Sequence, residues 1–234
     1  LKTHVAVGGH FPGSEQSVTS CEIKECVRLC LEKREEIDAA EGVTDDGEIT
    51  QAWGVAFACH GSGPSSKEGL SSAVVNVNSD GSVELLVGSA DIGQGSETML
   101  SQIAAETLGI PLAEVSITAA DTKITPYDTG TFGSSQTFIC GTAVRRACLD
   151  VYESLKKLLS ELSGEMVPLC DRSFFIGKDK LDFRAAVKLA MFHQRGGVII
   201  GRGCYKADAC PNPFSVCMVK AEYHRSINAV RLLH

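Results

Sequence analysis

Two short loops concentrate the residue types that hold a ligand. The first is Asp91-Ile92-Gly93-Gln94-Gly95-Ser96, directly before an amphipathic run. Gly93 and Gly95 let backbone approach a bound group closely, and the Gln94 amide between them offers two donors and an acceptor. A helix starting here adds unpaired N–H groups and a positive dipole end. The second loop is Gly130-Thr131-Phe132-Gly133-Ser134-Ser135-Gln136-Thr137, again entering a helix. Its hydroxyls, amide and two glycines suit an anion or a polar heterocycle. Each loop has a plainer reading. The first could be a tight strand-to-helix turn, and the second could cap its helix through Ser134, Ser135 or Thr137. Capping needs only one such side chain, so the cluster of polar residues favours a ligand.

Other reactive side chains point less far. Cys26 and Cys30 would share a helical face with Cys21 nearby, but none of the ten cysteines forms a Cys-x-x-Cys pair, the usual core of a zinc or iron–sulfur site. Reduced, buried thiols are the default. His10, His60 and His193 stand alone and suit surface or hydrogen-bonded roles. Gly201-Arg202-Gly203 echoes a phosphate loop but lacks the Lys of one. Ser134 and Ser135 lack the elbow motif and the base of a serine nucleophile.

Periodicity supplies the elements that must position the loops. Ser20 to Ile37 reads as a helix with Ile23, Val27, Cys30 and Leu31 inward, followed by an acidic loop over residues 41–48. Ala52–Cys59 reads as a strand. Residues 72–78 and 83–87 form a hairpin whose inward faces carry Ala73, Val75 and Val77 against Val83, Leu85 and Val87. Residues 97–108 form a helix closed by Gly109 and Pro111, then 115–119 a strand. A long helix spans 137–162 with Val144, Ala147, Cys148, Val151, Leu155 and Leu158 inward; Gly141 near its start implies a close contact. A linker fits 164–179, a helix 183–192, a strand 198–201, and a hairpin 214–223 with 229–233. Strands mixed with helices give an α+β class with mixed and antiparallel sheets.

The chain has 234 residues, 44% hydrophobic and 22% charged, which is ordinary for a globular protein. A net charge of −7 argues against nucleic-acid or anionic-membrane partners. Neither a membrane-spanning apolar run nor a signal peptide is visible, so a cytoplasmic location is expected. The chain does not begin with Met and reads as a fragment.

A set of motifs then falls in one order and spacing. It runs from Asp80-Gly81-Ser82-Val83 through Asp91-Ile92-Gly93-Gln94-Gly95, Gln102-Ile103-Ala104-Ala105-Glu106 and Leu108-Gly109-Ile110-Pro111 to Asp128-Thr129-Gly130-Thr131, Ser134, Thr137, Gly141 and Ala143-Val144. This resembles the molybdopterin-binding region of the xanthine dehydrogenase and aldehyde oxidoreductase family, most strongly over residues 72–159.

The resemblance implies a molybdopterin cofactor, alone or as a dinucleotide, held by Gly93, Gln94, Gly95, Gly133, Ser134, Ser135, Gln136 and Thr137. The metal would take no ligand from the protein. It implies hydroxylation of purines, aldehydes or N-heterocycles with water-derived oxygen. Iron–sulfur and FAD groups would sit on other domains or subunits of an oligomer. The carboxylate base of that family lies in a Gly-Glu-x-Gly-type motif that does not occur here, so the chain alone should be inactive, with no catalytic residue assigned. Glu97, Glu106 and Glu222 read as helix-surface and strand-edge residues rather than substitutes.

The implied domains are a partial helical or linker segment over 1–50, the core region over 51–165 and a continuation with a strand hairpin over 166–234. An apolar face should lie exposed where the rest of such a subunit would pack. The alternative is a structural or interaction domain that keeps the fold without the cofactor.

Overall fold

The computed structural model describes residues 6–10, 17–61, 69–207 and 212–234. In chain order the elements are α1 (Ile23–Glu41), β1 (Ile49–Cys59), β2 (Leu70–Val77), β3 (Val83–Val87), α2 (Ser96–Leu108), β4 (Val115–Ala119), α3 (Ile139–Ser163), β5 (Leu169–Cys170), β6 (Ser173–Ile176), β7 (Asp179–Leu181), α4 (Phe183–Phe192), β8 (Ile200–Lys206), β9 (Phe214–His224) and β10 (Ala229–Leu232). They form two compact units, one from residues 1–61 with 209–234 and one from 62–208.

The second unit holds the main core. Its sheet runs β4-β3-β2-β8, with β3 and β4 parallel and the other pairs antiparallel. The alternation expected for the hairpin is observed: Ala73, Val75, Val77, Val83, Leu85 and Val87 are all buried, and Ser71 extends that face. Leu100, Ala104 and Leu108 of α2 and the Val144-Ala147-Cys148-Val151-Leu155 stripe of α3 join the same core, with Leu158 at its margin. Gly109 ends α2 in the left-handed conformation, at φ 68°.

One expectation changes here. Residues 164–179 are not a linker: β5, β6 and β7 form a small antiparallel meander, and Phe174 is fully buried against Tyr152 and the core. Strands of two to four residues leave too short an alternation to detect by pattern. Gly201-Arg202-Gly203 is not a phosphate loop but part of β8. A Cβ at Gly201 would lie 2.1 Å from the Ala147 carbonyl oxygen, and one at Gly203 would lie 2.2 Å from that of Ala143. The two glycines therefore let α3 lie directly on the strand. Gly141 has a comparable reason, because a Cβ there would sit 2.7 Å from Ile103 Cδ1 of α2.

The first unit is a three-stranded antiparallel sheet, β1-β9-β10, with α1 against it. No residue of α1 is buried, and Leu31, expected inward, is exposed. Polar contacts dock the helix instead. Trp53 Nε1 donates to Asp38 Oδ1 at 2.9 Å, and Lys220 Nζ donates to the Gly42 carbonyl at 2.7 Å. Lys220 is only 1% exposed, with Asp38 at 3.4 Å and Glu41 at 3.6 Å to balance its charge. Glu222 lies on the central strand rather than an edge, 8% exposed, bonded to His224 at 2.9 Å. Within this unit Val55, Phe57, Val230 and Leu232 remain exposed.

Candidate functional site

Both loops sit at helix entrances of the second unit, and they face one cleft. Its volume is about 360 Å³, and its lining includes Gln94 and Ser96 from the first loop with residues 131–137 from the second. β3 delivers the first loop and α2 leaves it. The second loop leads into α3 after a turn anchored on β2, where Thr129 N–H donates to the Leu70 carbonyl at 2.9 Å.

The first loop is built around Asp91. Its Oδ1 accepts from Gly93 N–H at 2.8 Å and from Gly95 N–H at 3.4 Å. Those bonds, the Gly93 one foremost, hold the Asp91 carboxyl below the usual carboxylate range. Gly93 and Gly95 take φ values of 103° and 77°, which side chains rarely adopt. Gln94 spends part of its amide on the same loop, since its Oε1 accepts from Ile92 N–H at 2.7 Å. Gly95 then starts α2 without a side-chain cap.

The second loop does not cap its helix through Ser134, Ser135 or Thr137. Phe138 occupies the cap position of α3 and makes no side-chain capping bond. The Ser135 hydroxyl donates to the Phe132 carbonyl at 2.7 Å instead. Ile139 N–H to the Ser135 carbonyl (2.7 Å) and Gly141 N–H to the Gln136 carbonyl (2.9 Å) extend the turn backwards, so the positive end of α3 lies at residues 134–136. Gly133 and Ser134 both have left-handed backbone, at φ 58° and 54°. For Ser134 this is a strained choice that the sequence does not announce.

Gln136 is buried, at 7% exposure. Its Nε2 donates to the Gly130 carbonyl and to Thr131 Oγ1, each at 3.1 Å, while its Oε1 is buried with no protein partner. The structure therefore brings Gly133, Ser134, Ser135, Gln136 and Thr137 to the cleft together with Gln94, and Gly93 and Gly95 shape the loop beside it. It adds to the lining Ile92, Thr131 and Phe132, which lie in the two loops but were not assigned to the cofactor, and Met99, which lies outside them. Glu97, Glu106 and Glu222 do not line the cleft, and Glu106 is paired with Arg172 at 2.6 Å. Among the described residues no three His, Cys, Asp or Glu groups are arranged to hold a metal ion.

Two helix entrances meeting at one cleft, on a mixed α+β scaffold, define a ligand-binding domain. The chain belongs to the molybdopterin cofactor-binding domain family, whose profile matches residues 28–232. It is 35% identical over 206 residues to the putative xanthine dehydrogenase molybdenum-binding subunit of Escherichia coli K12, covering 81% of this chain and 27% of that one. It is 37% identical over 93 residues to xanthine dehydrogenase/oxidase of Gallus gallus, 39% of this chain and 7% of that one. The chain thus spans about a quarter of the first relative's length. Quinoline 2-oxidoreductase from Pseudomonas putida 86 shares the fold with a TM-score of 0.67 and 23% identity, over 89% of this chain and 28% of that one. Aldehyde oxidoreductase from Desulfovibrio desulfuricans does so with a TM-score of 0.66 and 22% identity, over 96% and 24%.

The residues present fit such a cofactor. A cleft of about 360 Å³ is within the usual range for small-molecule sites. Hydroxyls and the uncapped start of α3 suit the phosphate end of a pterin cofactor, and the amide of Gln94 suits its heterocyclic end.

Proposed function

We propose that this chain supplies one wall of the cofactor site of a molybdopterin-dependent oxidoreductase acting on a purine, an aldehyde or another N-heterocycle. The observation that carries the proposal is the convergence of the two helix-entry loops on one cleft. Gln94 would orient the pterin, with Gly93 and Gly95 admitting it closely. Ser134, Ser135 and Thr137 with the start of α3 would hold its phosphate end, and Gln136 would line the wall between them. The bound group supplies two-electron redox chemistry at molybdenum and the incorporation of oxygen from water. This chain's part is binding and orientation of that group; no carboxylate lines the cleft among the described residues.

Iron–sulfur and FAD groups on other domains or subunits would carry the electrons onward, within an oligomer in the cytoplasm. No helix among the described residues is long and apolar enough to cross a membrane.

The test is to determine molybdenum and pterin together in the protein carrying this chain, purified from its own host. Stoichiometric amounts of both are expected. Substitution of Gly133 by Val should lower the pterin content, because φ near 58° does not accommodate a β-branched residue. Absence of both from a host that makes the cofactor would overturn the proposal and leave the structural-domain alternative. The purified 234-residue chain should show no substrate-dependent dye reduction.

A further inference from the structure

The two loops lie far apart in sequence, and nothing in their local turns sets one against the other. The structure shows a bridge. Thr131 Oγ1 donates to the Ala90 carbonyl at 2.7 Å, and Ala90 N–H donates back to Thr131 Oγ1 at 3.1 Å. One hydroxyl thus satisfies both backbone groups of the residue that opens the first loop. The same oxygen accepts from Gln136 Nε2 at 3.1 Å. On the other side, the Ala90 carbonyl is within 3.5 Å of Gln94 Nε2 and 3.4 Å of Ser96 Oγ. A chain of contacts therefore runs Gln136–Thr131–Ala90–Gln94 across both loops, with Thr131 at its centre.

The hydrogen-bond inventory of Thr131 fixes its direction. A hydroxyl has one proton and two lone pairs. The proton serves the Ala90 carbonyl, and the lone pairs take Ala90 N–H and Gln136 Nε2. Turning the Gln136 amide over would set its oxygen against the Gly130 carbonyl and against a hydroxyl whose proton is already used. The bridge therefore also fixes the Gln136 amide, with both of its N–H groups spent on the loop and its oxygen left over.

We infer that Thr131 is a positioning residue: its hydroxyl locks the first loop to the second, so that Gln94 and Gln136 are held ready on the same cleft before a ligand arrives. This rests on the cleft being the cofactor site proposed above, but the lock itself is a property of the chain alone. Preorganised sites bind more tightly because less ordering remains to be done on binding.

The experiment compares the full chain with Thr131→Val and Thr131→Ser. Valine keeps the shape and removes the hydroxyl; serine keeps the hydroxyl. Amide hydrogen exchange is followed at Ala90 and at residues 92–95, with β2 and β3 as internal controls. Thr131→Val should speed exchange at Ala90 by about tenfold, the worth of one hydrogen bond, and spread the increase to Gly93 and Gly95. Thr131→Ser should restore the wild-type rates, and the controls should not move. Unchanged exchange at Ala90 in Thr131→Val, or equal acceleration in the controls and in Thr131→Ser, would overturn the lock. A separate arm measures pterin content in the native protein. Loss of pterin in Thr131→Val with retention in Thr131→Ser is expected. If wild-type protein holds no pterin while the exchange results stand, the cofactor reading fails and the lock survives.

Discussion

The carboxylate of Asp91 holds the first loop from inside, by accepting N–H groups from both glycines that flank Gln94. Its lowered pKa makes that support pH-dependent in a definite direction. A carboxyl whose folded pKa lies below its unfolded value adds stability that is complete above the unfolded value and is lost as pH falls through the folded one. The loop should therefore stay ordered at neutral pH and loosen only in acid, below the ordinary Asp value of 3.8. Amide shifts of Gly93 and Gly95, followed by NMR, should titrate with a midpoint under that value and stop titrating in Asp91→Asn. A midpoint at or above it would contradict the bonding described.

At this scale the sequence revealed part of the site. Gly93 and Gly95 were legible as residues that let backbone approach a ligand, and the structure adds that they take angles only glycine adopts without strain. Thr131 was not, because its partner Ala90 lies 41 residues earlier and hydrogen bonding across that distance leaves no local pattern. Nor was the left-handed backbone of Ser134, which follows from the geometry of the turn rather than from its residue type.

At the scale of elements, the seat of α3 on β8 depends on two missing side chains. Gly203→Ala should place a methyl group 2.2 Å from the Ala143 carbonyl and force the helix away from the strand. Overpacking of this kind costs about 1–3 kcal/mol and sometimes more. Thermal unfolding should show the loss, and the same substitution at Gly197, which has open space around it, should cost far less. Equal losses at the two positions would remove the packing argument. The hairpin of β2 and β3 and the buried stripe of α3 could be read from alternation and helical spacing alone. The glycines of β8 could not, since what they accommodate is brought in by a helix lying far earlier in the chain, at Ala143 and Ala147. The meander of β5, β6 and β7 escaped for a simpler reason: its strands are too short for a period.

For the whole molecule, the two units differ in how they are held. The unit of residues 62–208 contains the large aliphatic core. Among the described residues the other unit buries little besides Val18 and relies on Lys220, Glu222 and the backbone pairing of its sheet. Amides of β1 and β9 should accordingly exchange sooner than those of β2 and β3 as denaturant is raised, and simultaneous loss of protection would contradict this. Val55 and Phe57 are exposed on one face of that sheet and Val230 and Leu232 on the other, and they should make the chain associate as its concentration rises. Light scattering that stays monomeric throughout would count against it.

The order of the chain has a consequence for how the protein is made. β1 is synthesised before its partner β9, which follows only after roughly 150 further residues. A ribosome adding about 5–20 residues per second would leave β1 unpaired for on the order of ten seconds. In that interval the whole of the second unit emerges and can assemble, because its strands and helices are contiguous in sequence. During translation the second unit would then fold before the first, with Val55 and Phe57 on a bare strand that must be shielded until β9 leaves the tunnel.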